Sequence, residues 1–227
     1  MALHQLLMTK PDTPYFRPPQ LHICVVAVAD RPKVVSWKFQ EDTAYPAVVK
    51  SNKVAAISDG HSVSKITVFE EFASRFTEGK SYILKGHNLM GKEPPYTIAI
   101  NKKSLFFRTG ALHINEDLKK EAAELIYPSS IETNLADCEQ SQGLITVQGE
   151  IVGVSALKCI WRGREAIPLR NILLQKESRK VSLSLWREAS VSEHLQMGSS
   201  VKLSHLKPAN SDYGFNLKST NFTKIEG

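Results

Sequence analysis

One short segment of the chain combines three cationic side chains with an indole ring. Lys158, Arg162 and Arg164 flank Trp161 within seven residues. Cationic side chains contact phosphate groups, and aromatic rings stack on nucleobases. This combination is typical of single-stranded nucleic-acid binding, although a solvated basic turn has the same composition.

Strand-like alternation predicts where two further aromatic rings point. Between positions 181 and 186, Ser182, Ser184 and Trp186 alternate with apolar residues, so we expect Trp186 on the polar, accessible face. The same counting places Phe69 on the face of Lys65, and a lysine is rarely buried. We therefore expect Phe69 to point outward, while burial in the core stays the alternative for both rings.

These residues lie in two stretches of the chain that share one layout. In residues 144–226, five predicted strands follow one another, with a short helical segment between the third and the fourth. The same order occurs in the first half of the chain. Five strands and one helix in about 80 residues are the layout of an OB-fold, a five-stranded Greek-key barrel. The sequence therefore predicts a mainly β chain with two tandem OB-folds, short helices and a polar linker.

Composition places the boundaries of four segments. Four prolines within residues 1–20 indicate a flexible or extended arm. Residues 21–127 are predicted to form the first barrel with a C-terminal helix, and the polar residues 128–142 a linker. The second barrel is then expected over residues 143–227.

Two connections within the first barrel have signals of their own. Residues 31–46 are polar and end in a proline, which predicts a long loop that contains Trp37. Asn115 is predicted to cap an acidic helix that ends before Pro128. This helix is either a connector between the barrels or a packing piece that completes the first barrel, and we favour the packing role.

The charge of the chain favours a polyanionic partner. The formal net charge is +6 and the pI is near 9.2. Residues 116–139 hold seven acids and two bases, which leaves 29 − 2 = 27 bases against 23 − 7 = 16 acids elsewhere. The basic charge therefore belongs to the two predicted barrels, as expected of nucleic-acid binders.

Several function classes find no support in the sequence. There is no glycine-rich phosphate loop, no G-x-S-x-G elbow and no H-E-x-x-H motif, so no enzyme and no cofactor is expected. The three cysteines lack disulfide or zinc-ligand spacing, which indicates reduced thiols and no metal site. No apolar run is long enough for a membrane span, and the N-terminus lacks a secretory signal. These observations predict an intracellular protein without a membrane partner.

Two runs carry a family resemblance. The run Val181–Glu188, preceded by Pro168–Lys180, is similar to the second central DNA-binding barrel of the replication protein A large-subunit family. Lys65–Phe76, continuing to Gly79–Gly86, looks like the corresponding part of the first central barrel. The resemblance covers about 200 of the 227 residues in the family's order. It implies two OB-folds that bind single-stranded DNA in the nucleus, in replication, repair or recombination.

The resemblance also implies which side chains contact nucleic acid. In this family each barrel stacks bases on two aromatic rings, one after the third strand and one in the last hairpin. The basic first loop of the second barrel supplies cations for phosphates. The resemblance assigns these contacts to Trp37, Lys65, Phe69, Tyr96, Lys158, Arg162, Arg164, Trp186 and Tyr213. The first loop of the first barrel departs from the pattern, because Val35 stands at what looks like a cationic family position.

Two other functions remain open from the sequence. One is an OB-fold interaction module that holds protein partners in a genome-maintenance complex, which the acidic segment and the small size favour. The other is single-stranded RNA binding, because stacking and phosphate contacts alone do not distinguish the sugars.

Overall fold

The computed structural model describes residues 2–9 and 16–227. In the first half of the chain the elements are α1 (Leu3–Met8), β1 (Leu21–Asp30), β2 (Lys33–Gln40), β3 (Thr43–Lys50), β4 (Lys53–Ser58), β5 (Val63–Val68), a 3-10 helix (Ala73–Arg75), β6 (Ser81–Lys85), β7 (Asn88–Met90), β8 (Thr97–Ala99), β9 (Leu105–Arg108) and α2 (Glu116–Ile126). In the second half they are β10 (Ile131–Glu132), a 3-10 helix (Leu135–Gln140), β11 (Ile145–Val154), β12 (Lys158–Arg162), β13 (Glu165–Lys176), β14 (Arg179–Trp186), a 3-10 helix (Arg187–Val191), β15 (Ser200–Ser211), β16 (Gly214–Lys218) and β17 (Ile225–Glu226).

The first barrel has the strand order of an OB-fold. Strand β1 pairs antiparallel with β4 and with β6, β4 pairs antiparallel with β5, and β5 pairs parallel with β8. Strand β7 continues β6 after Gly86 and His87 and pairs antiparallel with β8. When β6 and β7 are counted as one interrupted strand, the barrel has five strands. Neighbouring strands follow in the order β1, β4, β5, β8, β6–β7 and back to β1. This closed path is the five-stranded Greek-key barrel predicted from the sequence.

The second barrel repeats this topology with longer strands. Strand β11 pairs antiparallel with β13 and β15, β13 with β14, and β15 with β16, while β14 and β16 are parallel. Its core is the inward face of the alternating strands and includes Leu183, Leu185 and Leu217. The prediction of a mainly β chain with two OB-folds is confirmed.

The predicted long loop of the first barrel is an ordered hairpin instead. Strands β2 and β3 form a two-stranded sheet, and residues 34–49 pack with residues 129–227 as one compact unit. Val34 and Trp37 of the hairpin share an apolar cluster with Ile167 of β13. The assignment of residues 34–49 to the first barrel is therefore wrong. The remaining residues, up to 33 and 50–128, form the other unit.

The predicted N-terminal arm includes a packed helix. Leu3, Leu6 and Leu7 of α1 are buried in the core of the first barrel. The backbone N–H of Leu3 donates to the Asp59 carboxylate at 2.9 Å. The arm prediction is thus wrong for residues 3–8, and its part at residues 10–15 lies outside the described residues.

The predicted polar linker belongs to the second barrel. Strand β10 pairs parallel with β11, and the 3-10 helix that follows buries Leu135 and Cys138 in the barrel core. Glu132 accepts a hydrogen bond from Lys202 at 2.7 Å. Because both apolar and charged side chains of this segment contact the barrel, it is a structural part of the second unit.

Helix α2 is a packing piece, as favoured from the sequence. The Asn115 side chain accepts a hydrogen bond from the Leu118 N–H at 2.9 Å and so caps the helix. Leu118, Ala122 and Ile126 are buried against the strands of the first barrel. The acidic residues of the helix stay on its exposed face.

We expect alanine at Gly149 to destabilise the second barrel. A Cβ atom there would lie 2.7 Å from the Gln175 carbonyl oxygen and 2.9 Å from Leu174 Cγ, so β11 and β13 would have to separate. Overpacking of this kind costs about 1 to 3 kcal/mol of unfolding free energy, which urea denaturation measures. Gly110→Ala is the control, because open space surrounds that position. Equal stability of the two variants would contradict the close approach.

Candidate nucleic-acid interface

A concave pocket of about 280 Å³ lies beside Trp186 on the second barrel. Trp186 ends β14 and is half-buried, with part of its ring against the apolar cluster of the hairpin. The Arg162 guanidinium carbon lies 4.6 Å from the centre of the indole ring, which is cation–π distance. The ring is therefore at the surface and already stacked against a planar cation, an arrangement that also suits a nucleobase.

Two lysines face each other across the last hairpin at this pocket. Lys207 of β15 and Lys218 of β16 are directly opposite in the strand register, and both line the pocket. Both are exposed, and neither forms an ion pair within residues 2–9 and 16–227. Like charges in directly opposite positions destabilise a sheet. A bound anion would relieve this repulsion.

The fourth cation of the pocket has a structural role. Arg187 Nη1 donates to the Glu165 carboxylate at 2.8 Å, and the Val34 carbonyl lies 3.5 Å from the same nitrogen. Its φ of 55° is left-handed, which is uncommon for a non-glycine residue. Because its charge is neutralised and its backbone is fixed, Arg187 shapes the pocket and contributes no free positive charge.

A row of polar groups crosses the outer face of the same sheet. Ser184 donates to Asn171 Oδ1 at 2.9 Å and accepts from Asn216 Nδ2 at 2.8 Å. This row joins β13, β14 and β16, with the buried leucines on the opposite side. The predicted polar face of β14 is thus present, and Trp186 lies at its end.

The basic turn singled out in the sequence is the hairpin of β12 and β13. Lys158, Arg162 and Arg164 are all exposed, and Trp161 is 69% exposed. The register places Arg162 opposite Glu165 across the turn. The structure therefore brings Arg162 to the Trp186 pocket, while Trp161 presents an open ring on the adjoining surface.

Tyr213 occupies the tip of the last hairpin. Its side chain is fully exposed, and its backbone N–H donates to Ser211 Oγ at 3.2 Å. Lys218 ends β16 and lies five positions after Tyr213, which corresponds to about 16 Å of extended chain. A bound strand that passes the two lysines can therefore continue along the hairpin to Tyr213.

The first barrel presents a smaller surface of this kind. Lys65, Thr67 and Phe69 are exposed on one side of β5, as their alternation predicts. Phe69 follows the strand directly and is about one-third exposed. The neighbouring Glu70 forms an ion pair with Lys50 at 3.5 Å, whereas Lys65 forms no ion pair within the described residues.

Trp37 and Tyr96 do not offer a ring to a ligand in this structure. Trp37 is 7% exposed because the hairpin packs on the second barrel, and Tyr96 is 6% exposed. The backbone N–H of Tyr96 donates to the Leu7 carbonyl of α1 at 2.8 Å, which holds the residue against that helix. The stacking prediction for these two residues therefore disagrees with their burial.

The sequence reasoning missed Lys207 and Lys218. Their pairing follows from the turn: counting outward from Ser211 and Gly214, which flank the turn, places 207 opposite 218. The sequence therefore predicts that Lys207 lies opposite Lys218 once the turn at Tyr213 is known. Trp161 was seen only as the centre of the basic cluster, and its exposure makes it a further candidate.

One buried histidine makes the stability of the first barrel sensitive to pH. Burial lowers the pKa of His87 from 6.5 to about 4, so the folded chain binds fewer protons at this ring than the unfolded chain. Stability is then lost as the pH falls from 6.5 towards 4. We expect this ring to lower the free energy of unfolding by about 2 kcal/mol between pH 7.5 and pH 5.

Urea denaturation at the two pH values measures this loss. His87→Phe should not show this loss of unfolding free energy between the two pH values. His61→Gln, at an exposed position, should show it as the parent chain does. If His87→Phe and the parent chain lost the same stability, the histidine would not be the cause.

The described residues, 2–9 and 16–227, contain neither a membrane-spanning helix nor a metal-binding cluster. No helix there is long and apolar enough to cross a membrane. No group of three or more histidine, cysteine, aspartate or glutamate side chains is placed to hold a metal ion there.

Comparison with known proteins gives solved structures only. No protein-family model and no curated protein matches the chain. The Ifi202 HINa domain in complex with 20-bp duplex DNA aligns with a TM-score of 0.44 at 11% identity, over 92% of this chain and 96% of that chain. A replication protein A heterotrimer bound to single-stranded DNA aligns with a TM-score of 0.42 at 13% identity, over 96% and 51%. The OB domain of Ta0387 from Thermoplasma acidophilum aligns with a TM-score of 0.37 at 16% identity, over 42% and 84%. The OB-fold of this chain follows from its own strand order and register.

Proposed function

We propose that the chain binds single-stranded DNA without sequence specificity, mainly on the outer face of the second barrel. The observation that carries this proposal is the pair Lys207 and Lys218 beside Trp186, with Arg162 stacked on the ring. Stacking platforms next to unpaired cations are what sequence-tolerant single-strand binding requires. The volume of the pocket, about 280 Å³, is below the roughly 300 to 1,000 Å³ of pockets that enclose a small molecule, so it suits a single base better than a whole ligand.

The strand follows a path marked by exposed groups. Its phosphates contact Arg162, Lys207 and Lys218, a base stacks at Trp186, and Tyr213 provides a second ring at the hairpin tip. Lys158, Arg164 and Trp161 border the path. On the first barrel, Lys65 and Phe69 form a weaker contact, so most of the affinity comes from the second barrel. We propose that the chain acts in the nucleus, in replication, repair or recombination, without catalysis of its own.

Duplex DNA fits this surface less well. The rings of Trp186 and Tyr213 stack only on bases whose faces are open, and in a duplex those faces are covered by neighbouring base pairs. Both RNA and DNA strands offer open bases, so the affinities for the two kinds of strand are measured separately.

We expect the affinity for a single strand to depend steeply on salt. Each phosphate neutralised on a single strand contributes a slope of about −0.7 in log affinity against log salt, so four or more contacts give roughly −3. Fluorescence anisotropy with labelled oligothymidine, a matched duplex and oligouridine at several salt concentrations provides the test. The expected order of affinity is oligothymidine, then oligouridine, then duplex. A slope near zero would favour the protein-interaction module, and tighter duplex binding would overturn the single-strand proposal.

A further inference from the structure

A large cationic pocket lies on the first barrel, apart from the surface of Lys65 and Phe69. Its volume is about 1110 Å³, and its wall is formed by residues 85–88, 101–103 and the segment before β1. Arg17, Lys85, Lys102 and Lys103 line it, and none of the described lining residues is acidic. None of the four forms an ion pair with any residue in the described ranges 2–9 and 16–227. Four positive charges without a carboxylate favour an anionic occupant.

His87 is a second, independent feature of this pocket. It belongs to the pocket lining and is 1% exposed, and neither ring nitrogen has a hydrogen-bond partner among the described residues. A buried polar group without a partner costs about 1 to 3 kcal/mol, so native proteins rarely retain one without a reason. A ligand with hydrogen-bonding oxygens would provide that partner.

The turn that carries two of the lysines is held rigidly. Ser104 Oγ donates to the Gly86 carbonyl at 3.0 Å, and the Lys103 N–H donates to Asn101 Oδ1 at 2.7 Å. Gly86 has a φ of +70°, and a Cβ there would lie 2.9 Å from the Lys103 carbonyl oxygen. The two chain segments of the wall therefore touch, and this contact places the backbone of Lys103 at the pocket.

Size decides what kind of anion the pocket suits. Pockets for small molecules usually enclose about 300 to 1,000 Å³, so this one is far larger than a single phosphate ion needs. Beyond the cations, the lining includes the amide side chains of Gln20, Asn88 and Asn101 and the exposed ring of Phe16. Amides can pair with the polar edge of a base, and an open ring can stack on its face.

We propose that this pocket is a separate nucleotide-binding site, in which Arg17, Lys85, Lys102 and Lys103 bind the phosphate. The phosphate comes either from a free nucleotide or from a nucleotide of a nucleic-acid strand. The site does not depend on the proposed stacking at Trp186, since every residue of the pocket lies in the unit formed by residues up to 33 and 50–128.

Calorimetric titration of AMP and of adenosine into the full chain tests the proposal. AMP should bind at least tenfold more tightly than adenosine, because only AMP forms charge-assisted hydrogen bonds with the lysines. Lys102→Glu with Lys103→Glu should remove about tenfold or more of the AMP affinity and leave adenosine binding unchanged. Both positions are exposed, so the double variant should fold, which its melting temperature verifies.

Lys119→Glu with Lys120→Glu is the matched control. It makes the same charge change at two adjacent exposed lysines on α2 of the same unit. Competition with unlabelled oligothymidine then identifies the source: displacement of AMP from the parent chain assigns the phosphate to a strand, and persistence of bound AMP assigns it to a free nucleotide. Equal binding of AMP and adenosine, or equal loss of AMP affinity in both double variants, would overturn the site. The Trp186 proposal is tested by the oligothymidine affinity of Trp186→Ala, and the nucleotide site by AMP against adenosine, so the failure of one is distinguishable from the failure of the other.

Discussion

Replacing Arg170 with alanine is expected to lower the free energy of unfolding by about 3 kcal/mol. The side chain is buried on β13 and donates four hydrogen bonds. Two reach Asp42 in the turn of the β2–β3 hairpin, at 2.8 Å to the carboxylate and 2.6 Å to the carbonyl. A third reaches the carbonyl of the buried Ser190 at 2.9 Å. Truncation leaves the buried Ser190 carbonyl without this donor and opens a cavity, and both changes lower the free energy of unfolding. The Asp42 carboxylate is exposed and keeps its hydrogen bond from the Leu157 N–H, so its loss is smaller.

Asp42 is the anionic partner of Arg170. Its carboxylate accepts hydrogen bonds from the Leu157 N–H and from Arg170, and these bonds lower the pKa of Asp42. The carboxylate therefore stabilises the fold above its ordinary pKa, and this contribution disappears as the pH falls below that value. Because Asp42 joins the turn of the hairpin to Leu157 and Arg170, protonation of its carboxylate should loosen residues 34–49 before the barrel itself unfolds.

Urea denaturation and hydrogen exchange of the hairpin amides measure the two effects. Arg164→Ala is the control, since it removes an exposed arginine from the same strand region. Arg170→Lys keeps the charge but cannot form the planar pair of bonds to Asp42, so we expect an intermediate loss. Unchanged protection of the hairpin in Arg170→Ala would show that the apolar contacts of Trp37 hold it without the arginine.

Local alternation was sufficient to predict the strands that form the barrel faces. In β5 and β14 every second residue is buried, so the period of two gave both the elements and the outward direction of Phe69 and Trp186. The N-cap at Asn115 could also be predicted, because a cap depends only on one side chain and the first turn of the helix that follows it. These features depend on neighbours in sequence, and the chain provides them without tertiary information.

The errors concern segments whose structure depends on distant contacts. Helix α1 has six residues, too few to be stable alone, and it forms because three leucines are buried in the first barrel. Pro46 was interpreted as the end of a loop, but it lies within β3, an edge strand of a two-stranded sheet where a missing N–H is tolerated. The burial of Trp37 and Tyr96 follows from these two elements. No local pattern could have predicted either burial.

We expect Trp186→Ala to reduce the affinity for oligothymidine by about 1 to 3 kcal/mol, which is roughly 5- to 150-fold. The loss has two sources, the stacked base and the platform against which Arg162 is held 4.6 Å from the ring centre. Without the indole, the guanidinium is free to move away from the phosphate path. Stability should fall by less than the roughly 3 to 5 kcal/mol typical of a fully buried tryptophan, because this ring is only half-buried.

Matched variants separate stacking from folding in this measurement. Trp186→Phe keeps an aromatic face and should recover most of the affinity, although it fills the apolar cluster less completely. Trp161→Ala, at a ring that is 69% exposed, should leave the unfolding free energy unchanged and test whether the adjoining surface also stacks a base. Anisotropy titrations are compared at a protein concentration corrected for the folded fraction. If Trp186→Ala were destabilised but its folded fraction bound as tightly as the parent chain, the indole would be a packing residue, and Lys207 and Lys218 would have to attract a ligand that does not stack.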